Sequence, residues 1–150
     1  MDPGYVELHC HSYFSLLDGA SSPEALVERA VALGYPALAL TDRDGLYGAV
    51  RFWQAAGERG LKPITGAEVT LADGSPLTLL AESAQGYAHL RRLISAGQLA
   101  GQKGQPRLTW EALAEHSQGL IGLSGGRPGA VASALLQADP DASALDWSKV

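Results

Sequence analysis

The chain has 150 residues, the length of one domain with a sizeable hydrophobic core. Its net charge of −5 disfavours direct binding to a nucleic-acid backbone, which normally requires a basic patch. The single cysteine rules out an internal disulfide, and the sequence contains no apolar run of about 18 residues that would span a membrane. From the acidic start of the sequence we also expect no signal peptide. We therefore expect a cytoplasmic protein.

The N-terminal segment predicts a strand that ends in two histidines. Val6 and Leu8 alternate with polar neighbours, as in a pleated strand. His9 and His11 are two residues apart, so both imidazoles leave the same face, close enough to hold one metal ion. Cys10 then points the other way, into packing. The alternative is an ordinary pair of hydrogen-bonded surface histidines.

Two helices and a buried strand are predicted next. Ser22 is a good N-cap for a helix that ends at Gly34. The apolar run 37–41 is typical of a strand buried on both faces, as in a parallel sheet. A second helix is expected over residues 46–59, with one apolar face formed by Val50, Trp53 and Ala56.

The remaining sequence continues the alternation of strands and helices. A third strand over 62–69 leads through Asp73-Gly74 into a hairpin with 77–81. There follow a helix after Gly86, a helix capped by Thr109, a strand over 119–124 and a helix that starts at Pro128. This order predicts an α/β fold with mostly parallel strands, open or closed into a barrel. We expect one domain over 1–137 and an unassigned polar tail over 138–150.

Candidate ligands follow several of the predicted strands. In β/α folds, functional side chains collect at the carboxyl ends of the strands. The residues expected at this rim are His9, His11, Asp18, Asp42 and Glu68. Imidazole and carboxylate ligands together suit Zn, Mn or Fe better than Ca or Mg. The sequence therefore predicts a metal centre at one rim of the sheet.

Several of these polar residues also have simpler interpretations. Asp18 precedes Gly19 and is compatible with an ordinary turn, and Asp42 is compatible with a helix cap. Asp44 is predicted to cap the second helix. Glu68 is harder to explain without a partner, because an unpaired buried carboxylate is costly. The remaining polar and aromatic candidates are expected to be exposed helix histidines (His89, His116) or helix-packing tryptophans (Trp53, Trp110).

Four segments of the sequence are similar to a known family. They are Leu8-His9-Cys10-His11-Ser12, Asp18-Gly19, residues 39–50 and residues 63–68. These segments resemble the PHP (polymerase and histidinol phosphatase) domain, and in particular that of the error-prone group of bacterial DNA polymerase III alpha subunits. The resemblance extends over about residues 5–137, in order.

The resemblance implies a distorted, TIM-like β/α barrel with a rim cluster of up to three Zn or Mn ions. Active members hydrolyse phosphoesters or remove 3′ nucleotides, whereas in many polymerases the domain is a structural platform. His9, His11, Asp18 and Glu68 match metal ligands of the family. Because a whole domain of this family is longer than 150 residues, we expect only the N-terminal portion of the barrel. The implied partners are the remainder of the polymerase chain and replication or mutasome proteins.

Three positions depart from the ligand pattern of the family. Arg43, Pro76 and Gly126 stand where members with a complete site carry histidine or cysteine. A guanidinium cannot ligate a metal, because it stays protonated and has no lone pair to give. We therefore expect Arg43 to pair instead with Asp18 or Glu68.

Together with the resemblance, these departures imply a partly degenerate metal site with a structural role, in the N-terminal PHP domain of an error-prone polymerase alpha subunit. Two alternatives remain open. One is an active metal-dependent phosphoesterase or 3′–5′ exonuclease that uses the four remaining ligands. The other is a non-catalytic β/α interaction scaffold.

Overall fold

The computed structural model describes residues 4–102, 104–126 and 128–138. Within them the elements are, in chain order, α1 (Pro23–Ala32), β1 (Ala37–Leu40), α2 (Ala49–Arg59), β2 (Lys62–Thr70), β3 (Pro76–Ala81), α3 (Ala84–Ala100), α4 (Trp110–Glu115), β4 (Leu120–Leu123) and α5 (Ala130–Ala138). The predicted tail lies outside the described residues, apart from residue 138. None of the described helices is both long enough and apolar enough to cross a membrane.

The sheet has the strand order β1-β2-β3-β4. β1 and β2 pair in parallel, whereas β3 is antiparallel to both β2 and β4. Three of the four strands therefore run in one direction, as predicted, although two of the three paired neighbours are antiparallel. The cause is the predicted hairpin, which inserts β3 in the opposite direction. Its turn contains Gly74, whose φ of 87° suits glycine.

The N-terminal segment is not the regular strand that the sequence predicted. Glu7 forms a single parallel bridge to Leu38, and the segment otherwise lies extended along β1. The amide of Cys10 donates to the side-chain Oγ1 of Thr41 (3.0 Å) instead of a backbone carbonyl, so the ladder does not continue. The amide of Thr41 donates a hydrogen bond to the carbonyl of Cys10 (2.8 Å), which holds the segment against β1.

Two apolar clusters form the core. The first joins α1 and α2 to β1 through the buried side chains Val27, Ala30, Leu38, Leu40, Phe52, Ala56 and Leu61. The second joins α3 to the β2–β3 hairpin through Ala67, Val69, Leu71, Leu79, Leu90, Leu93 and Leu108. The two clusters fix β1 and β2 side by side, so the chain segments that follow these strands meet at one rim.

The predicted apolar face of α2 is wrong for two of its three residues. Val50 and Trp53 are 66% and 55% exposed, whereas α2 buries Ala49, Phe52 and Ala56. Both triads have helical spacing, so periodicity alone did not distinguish them. The indole of Trp53 instead donates a hydrogen bond to Thr65, at the flank of the helix.

The predicted cap of α2 is also wrong. Gly48 is the N-cap, without a side-chain hydrogen bond. The carboxylate of Asp44 accepts hydrogen bonds from the amide and hydroxyl of Thr70, both at 2.8 Å, and so ties the loop after β1 to the end of β2. By contrast, the predicted caps Ser22 of α1 and Thr109 of α4 are confirmed.

The prediction that His89 and His116 are exposed is wrong, because both are half-buried. Their rings meet edge to face, with centroids 5.7 Å apart, where α3 passes the end of α4. The two histidines are therefore packing residues. Trp110, predicted to pack on its helix, is half-exposed.

Two helical glycines are expected to respond oppositely to alanine. A Cβ at Gly57 in α2 would meet nothing within 4 Å, whereas a Cβ at Gly86 in α3 would lie 1.8 Å from the carbonyl oxygen of Gly119. Gly57→Ala should raise the free energy of unfolding by about 0.5–1 kcal/mol through helix propensity. Gly86→Ala should lower it by about 1–3 kcal/mol through overpacking. Urea unfolding of both variants checks this prediction, and a change of the same sign in both would contradict it.

Candidate metal centre

His9, His11 and Glu68 come together at the predicted rim of the sheet. The Nε2 atom of His9 lies 2.9 Å from Oε2 of Glu68, and Nε2 of His11 lies 4.0 Å from the same oxygen. One donor atom from each of the three residues falls within 4.8 Å of the others. Glu68 is buried in β2, while both histidines follow the single bridge of the N-terminal segment. This arrangement can hold a metal ion.

Asp18 fixes the orientation of His11. Its Oδ2 lies 2.8 Å from Nδ1 of His11, and a carboxylate can only accept, so Nδ1 carries the proton. In a neutral imidazole this leaves the lone pair on Nε2, which is buried and has no hydrogen-bond partner within the described part of the chain. In metal sites, the ring nitrogen of a histidine that does not bind the metal usually donates a hydrogen bond to a carboxylate or carbonyl, which fixes the orientation of the ring. Asp18 thus reaches the cluster, bound to the far side of His11.

Arg43 bridges both carboxylates of the cluster. Its Nη2 lies 2.9 Å from Oδ2 of Asp18, and its Nε lies 3.1 Å from Oε1 of Glu68. The expected pairing is therefore found with both acids at once. The hydrogen bond from His11 is the main cause that holds the pKa of Asp18 below its ordinary value, and the charge of Arg43 adds to it.

Asp42 lies at the rim but outside the donor group formed by His9, His11 and Glu68. Its buried carboxylate accepts from the amide of Ser12 (2.7 Å), the hydroxyl of Ser12 (2.8 Å) and the hydroxyl of Ser15 (2.8 Å). The interpretation of Asp42 as a helix cap is wrong. Its role is to anchor the loop over residues 12–19, which carries Asp18.

Sequence reasoning missed the two serines that anchor this loop. Ser12 and Ser15 are almost completely buried, at 0% and 2% exposure, although they look like ordinary loop residues. Their spacing of three, directly after His11, is the only signal that the sequence offers for a shared partner. That partner lies 27 to 30 residues further along the chain.

The other two substituted positions lie at the same end of the sheet. Pro76 begins β3 opposite Thr70, and Gly126 follows β4 in a bend. The proline ring nitrogen and the missing side chain of glycine offer no ligand. Cys10 points into the first apolar cluster, as predicted, and burial raises the pKa of its thiol to about 11. It therefore remains a protonated packing residue.

The fold and this group of side chains together define an α/β domain with a histidine–carboxylate donor group that can hold a cation. The profile of the PHP domain family matches residues 7–149, and the chain belongs to this family.

Two curated relatives illustrate the similarity of this chain to polymerases. The chain is 48% identical over 151 residues to an error-prone DNA polymerase from Mycobacterium tuberculosis, a match that covers 93% of the chain and 14% of the relative. It is 44% identical over 143 residues to a DNA polymerase III subunit alpha from Vibrio cholerae, covering 91% of the chain and 12% of the relative. The chain thus spans a small part of relatives that are much larger polymerase chains.

Among solved structures, the chain resembles a two-domain protein from Bacteroides vulgatus, described as containing a predicted PHP-like metal-dependent phosphoesterase. The TM-score is 0.57 at 18% identity, over 91% of this chain and 43% of the other. At this identity the similarity concerns the fold alone, and it agrees with the expected portion of a TIM-like barrel. Within the described residues the sheet is open.

Proposed function

We propose that this chain is the N-terminal PHP portion of an error-prone DNA polymerase alpha subunit and serves there as a structural module. The similarity to polymerases from two bacteria supports the first part. The observation that carries the second part is Arg43, whose guanidinium binds Asp18 and Glu68 together. Two of the four expected ligands are thereby engaged by a fixed cation of the protein itself.

The structural role follows from what the rim cluster connects. Arg43 links the loop over 12–19, through Asp18, to β2, through Glu68. His9 links the N-terminal segment to the same glutamate. The partners of such a module are the remainder of the polymerase chain and, through it, replication or mutasome proteins in the cytoplasm. With a net charge of −5, the module leaves DNA binding to other parts of the polymerase.

A Zn or Mn ion fits the remaining donor group. His9, His11 and Glu68 would hold it, since two imidazoles and one carboxylate suit both metals and the buried Nε2 of His11 lacks a partner among the described residues. When bound, such an ion supplies Lewis acidity and lowers the pKa of a bound water. Nε2 of His9 faces the carboxylate of Glu68, so ligation through that atom requires the tautomer that carries the proton on Nδ1.

A metal-dependent phosphoesterase or 3′–5′ exonuclease is the second candidate function. Nε2 of His11 has no hydrogen-bond partner in the part of the chain that the structure describes, and this favours the phosphoesterase, because a satisfied structural histidine would not leave that atom buried without a hydrogen bond. Three protein ligands with an open position are the usual composition of a catalytic zinc site. The interaction-scaffold alternative requires no catalytic chemistry. Given the similarity to polymerases, it is a special case of the structural module in the first proposal.

Hydrolysis assays separate the two candidates. We expect the chain, assayed with Mn²⁺ or Zn²⁺, to hydrolyse neither p-nitrophenyl phosphate nor a single-stranded oligonucleotide above the rate of the His9→Ala variant, because Arg43 occupies both acids. The measurement is product release at several metal concentrations. Metal-dependent turnover in the parent that His9→Ala abolishes would contradict the structural proposal and establish the phosphoesterase.

A further inference from the structure

We infer that the guanidinium of Arg43 fills the second of two cation positions around Glu68, so that the cluster takes one divalent ion and not two. This inference rests on the metal centre proposed above. It concerns how many ions the rim can hold and which residue sets that number.

The two oxygens of Glu68 face different side chains. Oε2 lies on the imidazole side, 2.9 Å from Nε2 of His9 and 4.0 Å from Nε2 of His11. Oε1 lies on the other side, 3.1 Å from Nε of Arg43. A metal ion on the imidazole side would make Glu68 a bridge between two positive centres. In this chain one of the two centres is covalently part of the protein.

Several side-chain and backbone contacts hold Arg43 in this position. Its guanidinium reaches Asp18 (2.9 Å) as well as Glu68, and Asp18 shares that same Oδ2 with His11 (2.8 Å). The planar fork of arginine presents separate donors to the two acids, which the single ammonium of lysine reproduces less well. The backbone of Arg43 is held too, since its amide donates to Ser15 and it bridges to Glu68 in parallel pairing.

The positive charge of Arg43 disfavours binding of a second divalent ion. Glu68 and Asp18 together carry two negative charges, and Arg43 neutralises one while occupying one oxygen of each. A divalent ion on the Oε1 side would have to displace the guanidinium and leave it close by, where like charges repel. The imidazole side keeps Oε2 of Glu68 and Nε2 of His11, which has no hydrogen-bond partner among the residues that the structure describes. One ion is therefore accommodated there.

Binding of Mn²⁺ to the full chain tests this inference. The parent should bind one Mn²⁺ in calorimetric titration and give the electron paramagnetic resonance spectrum of an isolated ion. Arg43→Ala should bind two, with a spectrum broadened by coupling between neighbouring ions. Arg43→Lys keeps the positive charge and should remain at one.

Arg51→Ala is the matched control. Arg51 is 47% exposed and pairs with Glu24, and Arg43 is 49% exposed, so both alanine variants remove one arginine of similar exposure and change the net charge equally. Arg51→Ala should bind one Mn²⁺, like the parent. Two ions in the parent, or an unchanged number in Arg43→Ala when circular dichroism shows it folded, would overturn the inference. A parent that binds none would contradict the metal centre itself, whereas one ion in both the parent and Arg43→Ala contradicts only the role of Arg43.

Discussion

Asp42→Ala is expected to lower the free energy of unfolding by about 3 kcal/mol or more. The carboxylate of Asp42 is 2% exposed and satisfies three donors, namely the amide and hydroxyl of Ser12 and the hydroxyl of Ser15. Alanine leaves these donors buried without an acceptor, and each such group costs about 1–3 kcal/mol. Equilibrium urea unfolding followed by circular dichroism measures the loss.

Two variants control for this experiment. Asp42→Asn keeps the shape and one acceptor oxygen, so its loss should be smaller than that of alanine. Asp73→Ala removes an exposed aspartate that likewise accepts an amide and a hydroxyl, both from Ser75. Water replaces those bonds at the surface, so we expect a loss below about 1 kcal/mol. An effect of Asp42→Ala no larger than that of Asp73→Ala would show that the anchor is dispensable.

Phe52→Ala is expected to cost about 3–5 kcal/mol, a large part of the stability of a domain of this size. Phe52 is completely buried in the cluster that joins α1 and α2 to β1. Its removal opens a cavity that the neighbouring Val27 and Leu40 cannot fill without shifting the helices. The unfolding midpoint in urea, at unchanged slope, reports this loss.

Val50→Ala provides the comparison on the same helix. Val50 is 66% exposed, so truncation should change the free energy of unfolding by no more than about 0.5 kcal/mol. The face predicted from sequence, with Val50 inside, requires the reverse order of the two effects. Equal losses in Phe52→Ala and Val50→Ala would contradict the packing of α2.

The proximity of His9, His11 and Glu68 was predictable where it depended on local geometry. His9 and His11 share a face because they are two apart on an extended backbone, and Glu68 stood out as a carboxylate inside a strand. Arg43 was recognised as a cation unable to ligate, and pairing with the nearest acids followed from its charge. The hairpin was equally local, because its turn dipeptide lies between two apolar segments.

What sequence reasoning missed depends on partners distant in the chain. Asp42 and Asp44 both precede a helix, which is the position of a cap, but their partners lie in the loop after His11 and at the end of β2. No local rule identifies an acceptor that serves a serine 30 residues earlier. The strand predicted before His9 failed for the same reason, since the side chain of Thr41 takes the place of a backbone acceptor.

Glu68 and the two histidines of the donor group lie in parts of the chain that differ in their resistance to local unfolding. Glu68 lies in a buried strand that is paired on both sides, whereas His9 and His11 lie on a segment with one bridge. Fraying of that segment separates imidazole from carboxylate while the sheet stays intact, as expected for a low-energy local opening. A bound cation would therefore mainly stabilise the segment that carries His9 and His11 against local opening. Amide hydrogen exchange of that segment would slow before any increase in the global free energy of unfolding became measurable.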